Sequence, residues 1–147
     1  MPRGRSTEWT VNTTGLRDLS RALRRIGPTL PRQLGKALRV GAEFVAVDAR
    51  ERASWSKRIP GTVKVGGGVS AVTISAGGSR APHAAAFENR GKEGMFRHPV
   101  FGPSKKHEEP EWVDQQARPF LAPAVEAKAP QIAAAIDAAI DETLNTI

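Results

Sequence analysis

From Leu16 the apolar positions follow a helical period. At 100° per residue, Leu16, Leu19, Leu23 and Ile26 share an arc of about 80°, while Arg17, Arg21, Arg24 and Arg25 occupy a separate arc of about 100°. Gly27-Pro28 interrupts the run. Thr29 is then placed to cap a second, longer helix, with Pro31 in its first turn, where proline is tolerated. Leu30, Leu34, Ala37, Leu38, Gly41, Phe44, Val45 and Arg52 fall on one stripe of that helix, and Arg32, Lys36, Arg39, Glu43 and Arg50 on the other side. The separation predicts an amphipathic helix to about Ala53. Asp48 lies within the stripe, one turn from Arg52. It reads either as half of an ion pair along the helix or as a contact across a subunit boundary.

After Ile59-Pro60-Gly61 the period changes to two. Val63 and Val65, then Val72, Ile74 and Ala76, alternate on either side of Gly66-Gly67-Gly68, which predicts a β-hairpin with a glycine turn. His83 to Asn89 suits a short helix or a strand, Gly91 and Gly94 open a loop, and Pro99-Val100-Phe101 has strand character. The polar, turn-rich stretch from Gly102 to Glu111 reads as an exposed loop. In the last segment Ile132, Ile136, Ile140 and Leu144 recur every fourth residue, a ridge suited to packing on a sheet or another helix. Residues 1–14 read as a flexible arm and residues 15–147 as one domain. The fold class expected is α+β, a small antiparallel sheet packed by a long N-terminal amphipathic helix and a C-terminal helix.

Composition narrows the chemistry. The 147 residues include no cysteine, which removes disulfide frameworks, thiol nucleophiles and cysteine-based zinc sites together. No apolar run approaches the roughly 20 residues of a membrane span, and Met1-Pro2-Arg3-Gly4-Arg5 lacks the apolar core of a secretory signal, so a soluble product without membrane contact is expected. The net charge of +7 is uneven: residues 1–60 carry +8, residues 61–110 carry +3 and residues 111–147 carry −4. A basic front and an acidic tail suit nucleic-acid binding, or identical subunits meeting basic surface to acidic surface. Asp141 and Glu142 stand near a helix C-terminus, where the helix dipole disfavours acids, so they are expected to meet something basic.

Two of the three histidines lie in His83–Gly102, a stretch that also holds Phe87, Glu88, Arg90, Glu93, Phe96, Arg97 and Phe101. His83, His98 and His107 lack the i, i+4 spacing of two ligands on one helix face, and no serine sits in G-x-S-x-G. Neither a metal, a cofactor nor catalysis is therefore expected. The glycines at 66–68 precede a strand rather than a helix, against a phosphate loop. Arginines on the first helix could meet DNA phosphates, but Trp9, Trp55 and Trp112 are scattered and form no evident stacking platform. Phe87, Phe96 and Phe101 as apolar anchors, with Glu88, Arg90, Glu93 and Arg97 as a polar rim, have the make-up of an interface. The same residues would otherwise close the protein's own core.

The order of segments carries a resemblance. A basic amphipathic helix pair leads to "IPGTVKV" and a glycine-turned hairpin, followed by "PHAAAFENRG", "RHPVFG", "WVDQQ", "ARPFLAPA" and an Ala/Ile helix. Over about residues 16–145 this resembles the tail-completion, or head–tail joining, family of long-tailed bacteriophages, in its actinobacteriophage version. Its two most specific elements are His83 to Gly91 and Arg118 to Ala124, the latter matching a Pro-Phe-x-x-Pro-Ala signature that launches the last helix. The resemblance implies a structural protein of the virion neck, assembled in the host cytoplasm and not an enzyme. It implies a homo-oligomeric ring of about six copies, set among the head connector or stopper, the tail terminator and the tail tube, with DNA passing through and no specific binding. Phe120 is expected to plug the sheet layer while the prolines direct the chain into the helix, and it is also counted among the interface candidates. Arg17, Arg21 and Arg24 are expected to face neighbouring rings or subunits, because a strongly positive lumen would hold DNA against ejection. The alternatives are a tail terminator that caps tube polymerisation, and a small non-specific DNA-binding protein.

Overall fold

The computed structural model describes residues 6–12, 29–67, 71–100 and 111–145. The amphipathic segment from Leu16 to Ile26, with Arg17, Arg21 and Arg24, lies outside these residues, as do Phe101 and the stretch after it to Pro110. The described elements are β1 (Ser6–Asn12), α1 (Leu30–Arg52), β2 (Lys64–Gly67), β3 (Ala71–Gly77), the short α2 (Ala84–Glu88), β4 (Met95–Val100), β5 (Glu111–Gln116) and α3 (Leu121–Asn145). The fold is α+β. β1, β3 and β2 form an antiparallel sheet in that order, and β4 and β5 form a separate antiparallel ribbon.

The hairpin of β2 and β3 takes the expected alternation. Val72, Ile74 and Ala76 point into the core from β3, and Val63 is buried just before β2. The reading of residues 1–14 as a flexible arm is corrected at Ser6–Asn12, which pairs with the whole of β3, Trp9 opposite Ile74; residues 1–5, 13 and 14 lie outside the described residues. The segment STEWTVN is rich in strand-forming Thr, Trp and Val, and β3, paired with β2 on one side, offers it an unpaired row of backbone groups on the other. At the opposite edge, the α1 arginines cover carbonyls of the β2 segment. Arg50 Nη2 donates to the Val63 carbonyl (2.8 Å) and Arg39 Nη2 to that of Gly67 (3.1 Å). Thr62 ties the turn before β2 to the end of β3, donating to Ile59 O (2.7 Å) and accepting from Gly77 N (2.9 Å).

α1 ends close to where its pattern predicts. Thr29 occupies the N-cap position without a side-chain capping bond, and Pro31 sits in the first turn. Asp48 and Arg52 form the expected i, i+4 ion pair at 2.7 Å. The buried face is Leu30, Leu34, Leu38, Gly41, Ala42, Val45, Ala46 and Ala49. It is rotated toward the alanines relative to the predicted stripe, so Phe44 is 52% exposed rather than inside. Small residues win the inner positions because α1 packs on both the sheet and α3, and alanine lets those surfaces approach.

α3 lies along α1 and shares its core with the sheet through Phe120, Leu121 and Ala124. The predicted ridge holds at Ile132 and Ile136 and at Ile140, which packs beside Leu30, Leu34 and Ala139, and leaves the interface only at Leu144, 56% exposed. A strict fourth-residue repeat drifts about 40° per step around a helix. The inner face therefore passes to Ala139 and Thr143, and the Thr143 hydroxyl bonds Gln33 of α1. Asp141 and Glu142 are exposed. α1 and α3 approach closely at Gly41, where a Cβ would lie 2.9 Å from Ile132 Cγ1 and 3.4 Å from its Cα.

Gly41→Val is therefore expected to cost about 1–3 kcal/mol by overpacking, read as a lower urea midpoint with unchanged slope. Gly41→Ala should lose less, since alanine recovers about 1 kcal/mol of helix propensity.

Candidate functional site

The two most distinctive sequence segments meet in space. Glu88, the last residue of α2, is completely buried, and its carboxylate lies at the start of α3. Oε2 accepts from the backbone N–H of Phe120 (2.7 Å) and Leu121 (2.9 Å), and Oε1 from that of Ala122 (2.9 Å). The first four N–H groups of an α-helix have no partner within it. Here three are taken by Glu88 and the fourth position is Pro123, which has no N–H. The positive end of the helix dipole adds to the attraction for a carboxylate. Phe120, also fully buried, is fixed at the same place and fills the core between sheet and helices, as its position in "RPFLAPA" predicts.

Glu88 and Phe120 are thus corrected as interface candidates. Both face the interior of their own chain, one as a helix cap from a distant element and the other as a core side chain. The sequence marks Glu88 only as one acid among several, because its partners are backbone groups more than thirty residues away.

Around this joint the chain builds a half-exposed aromatic surface. Phe87 stacks at a tilt on Trp55, centroids 4.7 Å apart, and meets Phe96 of β4 edge-on at 5.3 Å. His83 stands edge-on to Phe87 at 6.0 Å, and His98 lies 5.8 Å from Phe96. The Arg118 guanidinium covers Trp55 at 5.1 Å. Backbone bonds hold this surface to the α3 lead-in: Arg118 N donates to Phe87 O (2.9 Å) and Ala117 N to Gly94 O (2.7 Å). Asn89 and Arg90 both adopt left-handed backbone angles, φ 49° and 55°. This conformation is uncommon for a residue such as arginine, and it turns the chain sharply out of α2 and leaves the Arg90 side chain exposed.

The ribbon extends from that surface. Arg97 pairs with Asp114 and Pro99 with Trp112 across the strands, which puts Met95, Arg97, Pro99, Trp112 and Asp114 on one face. All five are exposed, and Arg97 lies 5.7 Å from the Trp112 ring centre. On the other face Phe96 reaches Phe87 of the body, and His98 is half-buried beside it. Every residue of β5 is exposed.

Of the predicted candidates, the structure therefore brings together Phe87 and Phe96 in one aromatic run, leaves Arg90 and Arg97 beside it on the surface, and buries Glu88 and Phe120 beneath. Trp112 sits beside Arg97 on the ribbon's other face, whereas Trp55 and Arg118, which lie far apart in the sequence, belong to this surface. Only the tertiary fold brings them near the phenylalanines.

The arrangement is built of aromatic and cationic contacts. Among the described residues neither His83 nor His98 pairs with a carboxylate or hydroxyl, and no group of three or more His, Asp or Glu is disposed to hold a metal. Arg58 and Arg80 border a shallow groove near Gly61 and Thr62. No described helix is long and apolar enough to cross a membrane. No protein-family model, curated protein or solved structure matches the chain.

Glu88→Ala would leave three buried N–H groups without an acceptor and is expected to cost about 3–5 kcal/mol. Urea unfolding checks this. Glu88→Gln, which keeps one carbonyl oxygen but loses the charge and the second acceptor, should fall between Glu88→Ala and the wild type.

Proposed function

We propose that this chain is a structural subunit of a bacteriophage neck, a member of a homo-oligomeric ring that completes the tail and joins it to the head connector. The observation that carries the reading is the β4–β5 ribbon. A two-stranded ribbon is marginal in water on its own, yet this one presents Met95, Pro99 and Trp112 to solvent on a face that nothing in the described chain covers. Such a face suits docking on another protein, with Trp112 and Arg97 of the residue types that dominate binding energy. The sequence resemblance supplies the setting. The Glu88 joint supports it indirectly, because it makes one local structure of the two motif segments that carry that resemblance.

Purified protein should form closed rings by native mass spectrometry and negative-stain imaging, and labelled subunit should sit at the head–tail junction of virions. A phage lacking the gene should accumulate DNA-filled heads and tails of normal length, unjoined. Tails of uncontrolled length would instead identify a terminator. Retention of DNA by a monomer at physiological salt, weakening steeply as salt rises, would identify a DNA-binding protein.

A further inference from the structure

The outward side of α1 carries an apolar stripe. Val40, Phe44 and Val47 are 53%, 52% and 52% exposed, at i, i+4 and i+7, so they share one arc facing away from the core. The N-terminal half of the same helix carries Arg32, Lys36 and Arg39 and no acid. A basic first half is unfavourable at a helix N-terminus, which prefers negative charge.

α3 has the complementary anomaly. Its last turns carry Asp137, Asp141 and Glu142 and no base, at the end that prefers positive charge. Its outward surface between Glu126 and Asp141 is small, with Ala127, Ala133 and Ala134 exposed. One helix thus projects bulky apolar side chains beside positive charge, and the other presents a shallow apolar surface beside negative charge.

We infer that copies of this chain join head to tail, the Val40–Phe44–Val47 stripe of one copy docking antiparallel on the outward alanine surface of α3 of the next. This rests on the assembly reading above. The antiparallel sense places the basic half of α1 against the acidic end of α3, and both helix-end anomalies are answered by one contact. With Lys36 opposite Asp141, two turns along each helix bring Phe44 over Ala134. Pairing α1 with α1 of a second copy would set its basic half against Glu43 and Glu51 but leave the acidic end of α3 unanswered. Joining two unlike faces is a heterologous contact, which generates a ring where the rotation per copy closes.

The test is sedimentation and native mass spectrometry of the full chain. Phe44→Asp is expected to raise the dissociation constant about 30-fold or more. Lys36→Asp and Asp141→Lys should each weaken assembly about 5- to 10-fold, and the two in one chain should restore it. All three positions are exposed, and circular dichroism checks that each variant is folded. Rings that survive Phe44→Asp would overturn the docking while leaving the ring reading intact. The same outcome with a lower melting temperature would assign the stripe to the chain's own segment from Leu16 to Ile26. Loss of assembly without rescue in the double variant would exclude α3 as the partner face. A wild-type protein that stays monomeric would overturn both the docking and the ring.

Discussion

The carboxylate of Glu88 holds the architecture at its most demanding point. A long helix begins inside the protein, where its unpaired N–H groups have no water to turn to, and a buried unpaired donor costs about 1–3 kcal/mol. One side chain from α2 meets Phe120, Leu121 and Ala122, and Pro123 removes the remaining donor. The start of α3 is thereby fixed to the end of α2. With it are fixed the depth of Phe120 in the core and the path of Arg118 past Phe87. The aromatic surface of Trp55, Phe87 and Phe96 rests on that joint, and the ribbon meets it through Phe96.

Beneath this joint, packing is governed by small residues. Ala42, Ala46 and Ala49 let α1 meet the sheet, and Gly41 lets it meet Ile132 of α3. A helix that uses its small residues inside has large ones left for the outside, and Val40, Phe44 and Val47 are the result. The sheet manages its edges differently. β1 occupies one, and Arg39 and Arg50 reach from α1 to carbonyls at the other. Among the described residues, the ribbon and the outward faces of the two long helices stay open. Those surfaces carry the apolar and charged groups with which an assembly subunit can meet its neighbours.

Much of this was legible in the residues. The 3.6-residue period placed α1 to within a residue at each end, the two-residue period placed β2 and β3, and the spacing of Asp48 and Arg52 gave their ion pair. Phe120 was correctly expected in the core. The misses share one cause. Ser6–Asn12 became a strand because β3 had an unpaired edge, and Phe44 turned outward because the sheet and α3 together needed the alanine side of α1. Leu144 left the predicted ridge as the helix rotated past its neighbour. β5 has no alternation strong enough to show itself, and its order comes from pairing with β4.

Local periodicity, charge and the absence of cysteine are properties of neighbouring residues or of composition. Through them the sequence by itself determined an α+β chain with two long amphipathic helices, a glycine-turned hairpin and no thiol chemistry. The role of Glu88 was decided by the tertiary structure alone. Whether a carboxylate is a solvated rim or a buried cap depends on which backbone groups the fold brings to it, and those lie more than thirty residues away. The same holds for Trp55, Arg118 and Phe87, which become one surface only because α1, α2 and the lead-in to α3 converge there.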